Sequence, residues 1–230
     1  MTKRILLLGL LALAFLTFVG LGVWQMERLQ WKQDLIARVD ARIHTEPVAP
    51  PQAATVDDEY RRIRISGTYM ADADTLTQAV TKLGPGFWVM TPLKSADGRV
   101  ILVNRGFIPQ DLKDKTAYAA PSGLVDVTGL LRLTEPKGGF LRENDPKAGR
   151  WFSRDVEEIA RARGLSVTAP YFIDADAASS PDRYPVGGLT IVAFPNSHLQ
   201  YALTWFAMAA LTIIGGIIVA RRGDRGEGTA

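Results

Sequence analysis

ILLLGLLALAFLTFVGLGVWQM, residues 5–26, carries no charged side chain. As a helix these 22 residues extend about 33 Å, enough to cross a hydrocarbon core of about 30 Å. A second stretch, LQYALTWFAMAALTIIGGIIVA at 199–220, has the same length and is equally free of charge. Between them lie 172 residues of mixed composition, long enough for one domain to build its own core. The pattern predicts a domain held to one face of a membrane by both ends, its two spans forming an antiparallel hairpin. The first run is longer than the roughly 7–15 apolar residues of a cleaved signal, and Ala12-Leu13-Ala14 falls in its middle, so it reads as an anchor.

Charge orients the chain. Lys3 and Arg4 precede the first run, and Arg221, Arg222 and Arg225 follow the second. Basic flanks stay on the cytoplasmic side, which places both termini in the cytoplasm and the middle segment outside. The expected map is a cytoplasmic tail at 1–4, a span at 5–26, an outer domain at 27–198, a span at 199–220 and a cytoplasmic tail at 221–230. Those five tail residues belong to a total of 27 Lys and Arg, and Asp224 and Glu227 to a total of 24 Asp and Glu, so the outer segment balances at 22 of each. The net charge of +3 is a topology signal, which argues against a nucleic-acid partner. With no cysteine, disulfides, thiolate metal sites and a Cys nucleophile are excluded.

Nothing breaks the first helix at the interface, and Leu35, Val39 and Ile43 continue one helical face, predicting an extension over 27–44. Pro47, Pro50 and Pro51 end it and begin a linker over 45–55. Strands are expected at Arg61–Met70, Thr75–Val80, Gly86–Leu93, Arg99–Phe107, Val125–Leu133 and Tyr171–Ile173, with another at Thr190–Ala193. Asp97-Gly98 reads as a hairpin turn, Gly84-Pro85-Gly86 as another turn, Gly106 as the point where its strand turns, and Lys113–Ser122 as a loop. Asp155 and Glu158 have capping-box spacing ahead of a short helix that Gly164 stops. The fold class is α+β: a mainly antiparallel β-sheet domain with short helices, flanked by the N- and C-terminal membrane helices.

The common catalytic signatures are missing, and the acidic runs Asp57-Asp58-Glu59 and Glu157-Glu158 read as solvated. Of two histidines, His44 reads as a surface residue. His198 stands one residue before the second span, where Asn196 or Ser197 can cap the helix. In an antiparallel hairpin it falls level with Trp24, Gln25 and Arg28 of the first span and with Gln200, Tyr201 and Trp205 of its own. Two readings stand. The set suits a planar amphipathic ligand, with rings stacking, His198 ligating a metal and Arg28 meeting a carboxylate. Alternatively it is the aromatic belt of any membrane helix, with Arg28 snorkelling. The belt accounts for Trp and Tyr better than for Gln25 and Gln200.

Four motifs resemble one family in order along the chain. Gly22-Val23-Trp24-Gln25-Met26-Glu27-Arg28 is similar to the Gly-x-Trp-Gln-x-x-Arg signature of the surfeit locus 1 family. Val103-Asn104-Arg105-Gly106-Phe107-Ile108-Pro109 resembles its central element. Asn144-Asp145-Pro146 with Trp151 matches its Asn-Asp-Pro…Trp segment. Asn196-Ser197-His198-Leu199-Gln200-Tyr201-Ala202-Leu203-Thr204-Trp205-Phe206 resembles its C-terminal signature. The resemblance implies a non-enzymatic assembly factor for cytochrome c oxidase that binds haem a and assists its insertion into oxidase subunit I. The alternative is a scaffold that stabilises an oxidase intermediate without haem. It also implies His198 as ligand to the haem iron, Trp24, Gln25, Arg28, Tyr201 and Trp205 as further haem contacts, and haem A synthase as a further partner beside the bilayer. Asn104, Arg105, Gly106, Asn144, Asp145, Pro146 and Trp151 are expected in structural or partner-contact roles. Family members of eukaryotes carry a targeting presequence; a chain that opens at its anchor fits a bacterial inner membrane, with the domain in the periplasm.

Overall fold

The computed structural model describes residues 2–112, 115–136, 142–166, 168–177, 184–192 and 194–226. The chain divides into two compact units, Met1–Arg38 with Ala193–Ala230, and Val39–Val192.

The helix α1 runs unbroken over Thr2–Ile43, its last residues counted with the second unit, so the predicted tail, span and extension are one helix. The second helix, which we number α3, covers His198–Gly226. It starts one residue earlier than expected and continues past 220 into the predicted tail. Both helices are long and apolar enough to cross a membrane. They are antiparallel. Arg4 donates to the Ala220 carbonyl at 2.6 Å, the Phe18 and Trp205 rings stack at 5.8 Å, and Gln25 meets His198. Ala202 and Ala209 are buried along this seam.

The second unit is built on six strands: β1 Arg62–Tyr69, β2 Thr75–Thr81, β3 Gly84–Ser95, β4 Val100–Pro109, β5 Leu124–Leu133 and β6 Thr168–Ala175. Their order is β1-β5-β6-β4-β3-β2, and β1 also pairs with β3 through Gly67–Tyr69 and Leu93–Ser95. That last pairing closes five strands into a barrel-like sheet. β3 achieves it by changing partner. Its first half pairs with β2, its register shifts between Trp88 and Met90, and its far end meets β1. β4 and β6 run parallel, whereas the other paired strands are antiparallel.

The Val-Ile-Leu-Val run of β4 is buried on both faces. Ile101 and Val103 join Ile63, Ile65, Leu93, Val127, Leu131, Tyr171 and Ile173 in a core drawn from all five closing strands. Leu102 faces the other way, into a cluster with Met90, Trp151, Phe172 and the Val156 and Ile159 side chains of α2 (Val156–Ala162). Two covered faces explain a continuous apolar run where a half-exposed strand alternates. Asp155 caps α2 by accepting from the Glu158 N–H at 3.1 Å, and Gly164 follows in the left-handed region.

Several local expectations are corrected. Gly84-Pro85-Gly86 is strand, paired with Thr81, Val80 and Ala79; the turn is Lys82-Leu83. β4 continues through Gly106 to Pro109. Residues 190–192 form no strand, and Ala193 lies outside the described residues. The loop over 113–122 contains a short 3-10 turn, Lys115–Tyr118, while Lys113 and Asp114 lie outside the described residues. The proline segment is not a free linker. Val48 exchanges backbone hydrogen bonds with Arg62 and Arg64, and the Pro51 carbonyl accepts from Arg99 and from the Tyr171 hydroxyl. Pairing of this kind is set by distant partners and leaves no local period.

Candidate functional site

The first turn of α3 carries His198, whose backbone N–H donates to the Asn196 Oδ1 at 3.4 Å, while Tyr201 N–H closes the turn on the Ser197 carbonyl. The His198 Nδ1 lies 2.7 Å from the Gln25 Oε1. A carbonyl oxygen only accepts, so this bond requires the proton on Nδ1. In the neutral ring this leaves the lone pair on Nε2, and the ring is held in one orientation by a neighbour. This is how metal-binding imidazoles are fixed. Among the described residues Nε2 has no hydrogen-bond partner. Gln25 is buried against α3, as polar side chains of membrane helices usually are, and the histidine satisfies its oxygen.

Helical geometry sorts the other residues. Arg28 lies about 60° and Trp24 about 100° round α1 from Gln25, and Tyr201 about 60° round α3 from His198. In an antiparallel pair these offsets fall on one side of the seam. Trp24, Arg28 and Tyr201 are all exposed there, and the Arg28 guanidinium sits 4.4 Å over the Trp31 ring. Gly22 marks the opposite side. A Cβ there would meet the Phe206 ring at 2.5 Å, so the absence of a side chain permits this close packing. Trp205 departs from expectation. It lies two turns deeper than His198 and stacks on Phe18 inside the seam. The helix pair therefore brings together Gln25 and His198, flanks them with Trp24, Arg28 and Tyr201, and separates Trp205. Gln200 lies on the exposed surface of α3.

The central motif sits in the domain. The Asn104 Nδ2 donates to Asp174 Oδ1 at 2.7 Å, and its Oδ1 accepts from the Gly106 N–H. Arg105 donates to the Tyr118 and Ala119 carbonyls and covers the Tyr69 ring at 5.3 Å. Gly106 has φ +134°, and a Cβ would stand 2.3 Å from the Val186 carbonyl carbon, because Phe107 and Val186 exchange two backbone hydrogen bonds beside it. Gly106 thus admits a crossing segment. Asn144 organises the other motif. Its Oδ1 accepts from the Phe152 and Ser153 N–H groups and its Nδ2 donates to Ser153 and Glu158. Asp145 pairs with Arg150 at 2.7 Å, the Pro146 carbonyl accepts from Gly149, and Trp151 is buried.

Sequence reading missed the hub of this network. Asp174, 3% exposed, receives bonds from Asn104, Arg132, Arg154 and Thr190. Glu135 bridges the same two arginines. The available signal was an aspartate at the end of the apolar run Tyr171-Phe172-Ile173. A charge there needs partners. Also missed were Phe18 and the contact between the motif residues Gly22 and Phe206, which depend on which helix faces meet. His44 is exposed, its Nδ1 2.8 Å from the Asp40 carbonyl. Among the described residues no group of three His, Asp or Glu side chains converges on a metal site.

A family model described as the SURF1 family matches residues 12–210. The chain belongs to the SURF1 family. It is 36% identical to human Surfeit locus protein 1 over 85% of this chain and 71% of that protein. It is 35% identical to a SURF1-like protein of Monosiga brevicollis over 96% of this chain and 89% of the relative. The Surfeit locus protein 1 of Takifugu rubripes is 33% identical over 85% and 89%. Membership of the SURF1 family supports a general role in cytochrome c oxidase assembly.

Proposed function

We propose that this SURF1-family chain is a non-enzymatic oxidase assembly factor that holds haem a as cargo at the outer end of its helix pair and hands it to oxidase subunit I. The hydrogen bond between Gln25 and His198 carries the reading, because it leaves an oriented imidazole nitrogen at the outer ends of both apolar runs. His198 Nε2 would hold the haem iron. Gln25 holds the ring, Trp24 and Tyr201 offer aromatic surface to the macrocycle, and Arg28 is placed for a propionate. Trp205, engaged with Phe18, sets the spacing of the helices. Haem a would bring an iron able to take an imidazole nitrogen and a broad apolar ring; a single histidine suits cargo that must leave again. Basic residues at both tails support cytoplasmic termini and an outer domain. We place it in a bacterial inner membrane, with the domain in the periplasm and haem A synthase as a further partner.

A second reading keeps the role in assembly but not the haem. Gln25 and His198 satisfy each other across a seam that also holds the Phe18–Trp205 stack and the Gly22–Phe206 contact. The same residues then serve helix packing, and the domain stabilises an oxidase intermediate. Purification from cells that make haem a, followed by the optical spectrum and haem content, separates the two. The cargo reading expects bound haem a, lost in His198→Ala. Wild-type protein free of haem favours the scaffold.

A further inference from the structure

Two cations of the helix unit rest on aromatic rings and on no acid. The Arg28 guanidinium sits 4.4 Å over the Trp31 ring, and the Lys32 ammonium stands 5.3 Å from the centre of the Phe194 ring. Among the described residues neither has a carboxylate partner, whereas Arg42, further along the same helix, pairs with Asp57. The local sequence supplies none. One turn away from Arg28 stand Trp24, Gln25, Trp31 and Lys32; one turn away from Lys32 stand Arg28, Leu29, Leu35 and Ile36. A ring holds a cation in place without consuming its N–H donors, which stay available to an anion.

These residues share one compact unit with Gln25 and His198, so their placement relative to the imidazole follows from the helix itself. Arg28 and Lys32 are one turn apart, their Cβ atoms about 5–6 Å from each other. They stand about 5 Å and about 10 Å along α1 from Gln25, on the side away from the apolar run. Both turn to the side of Gln25 on which Trp24 lies, by about 60° and about 20°. Along α1 the order is apolar run, then the level of the imidazole, then two cations without acids. A ligand lying along that order has an apolar body at one end and negative groups at the other. Each cation is anchored on its own ring, so the pair presents two separate donor groups, which match two carboxylates.

We infer that Arg28 and Lys32 form a two-point clamp for the dicarboxylate edge of the cargo, backed by Trp31 and Phe194. The inference rests on the haem reading proposed above and deepens it. The two carboxylates are the propionates: Arg28 takes one and Lys32 the other. The clamp sets the direction in which the macrocycle lies, with its propionate edge away from the apolar runs and its opposite edge toward them.

Full-length protein in a neutral detergent is titrated with ferric protoporphyrin IX and with its dimethyl ester, followed by the Soret band. Wild type should bind the diacid on the order of 10-fold more tightly than the diester, a preference that shrinks as salt is added. Arg28→Gln and Lys32→Gln should each weaken diacid binding about 5-fold and leave diester binding unchanged, while Lys32→Arg keeps the preference. The diester reports the iron site and the fold in every variant, and the wild-type preference reads the clamp even if a variant fails to fold. Equal wild-type affinity for diacid and diester, with binding lost in His198→Ala, would overturn the clamp and leave the haem reading standing. Binding of neither by wild type would overturn both. Parallel loss of diacid and diester binding in both glutamine variants would make the pair a support of the fold and overturn the clamp. An unchanged preference in both variants, with less phosphatidylglycerol copurifying, would assign the two cations to headgroup phosphate and also overturn it.

Discussion

The Nδ1 of His198 stands 2.7 Å from the Oε1 of Gln25, joining the first turn of α3 to α1 where one apolar run ends and the other begins. In the neutral imidazole this bond puts the proton on the nitrogen facing α1 and the lone pair on the other. The Gly22 contact with Phe206 and the Phe18–Trp205 stack fix the helix spacing that makes the bond possible.

Gln25→Leu keeps the side-chain volume in the seam but removes the acceptor. The imidazole then loses its fixed tautomer and orientation. Retention of haem a after purification should fall on the order of 10-fold, the usual scale for losing a partner of a metal-bound histidine. Thermal unfolding in detergent should change far less. Retention equal to wild type would show that Gln25 does not orient the ligand.

Gly106→Ala should destabilise the domain by about 3 kcal/mol, from a strained backbone and an overlap with Val186. The midpoint of chemical unfolding of the domain reads this directly. Gly98→Ala, at a hairpin turn with φ +84° and no atom near the new Cβ, should cost less. Equal losses would mean that the crossing segment at Val186 yields easily.

Asp174→Ala removes one carboxylate that Arg132 and Arg154 share and should cost about 3 kcal/mol, the low end for breaking a buried pair, because Glu135 still holds both guanidiniums. Asn104→Ala should cost about 1–3 kcal/mol, leaving the Asp174 Oδ1 with Arg154 and the Gly106 N–H without its side-chain acceptor. The double variant should fall short of the sum, since both act on one network. Full additivity would contradict the shared network.

Burial pushes the Tyr69 hydroxyl up to about 12, against a smaller opposing effect of Arg105. Above pH 10 the unfolded chain ionises while the folded domain keeps the proton, so the unfolded state binds fewer protons and stability falls as pH rises from 10 to 12. Below pH 10 the contribution is complete. Tyr69→Phe keeps the ring beneath Arg105 and should flatten part of this alkaline fall; Tyr60 and Tyr171, also raised by burial, account for the remainder. Unfolding midpoints at pH 9 and pH 11.5 test it, and an unchanged slope in Tyr69→Phe would reject the assignment.

Features carried by adjacent residues were legible in the sequence. The apolar runs marked both long helices, Asp155 and Glu158 marked the start of α2, and Val-Ile-Leu-Val marked β4. What was hidden depends on distant partners. The β1–β3 closure sets Gly67 beside Ser95, and the parallel β4–β6 pair sets Val103 beside Ile173. Gly84-Pro85-Gly86 has the composition of a turn but is strand because β2 pairs with it. At the candidate site, position beside the second span singled out His198, and level along the hairpin grouped it with Trp24, Gln25, Arg28 and Tyr201; which helix faces meet was not legible. Trp205 misled because depth along the helix, seven residues from His198, counts as much as composition.

The most direct measurement is imidazole rescue of His198→Gly, read by the optical and resonance Raman spectra of haem a bound to the full-length protein. The account predicts that the variant loses the axial histidine signature and most of its haem, and that added imidazole restores both without altering wild type. Haem a bound with an unchanged spectrum in His198→Gly, with or without imidazole, would contradict it.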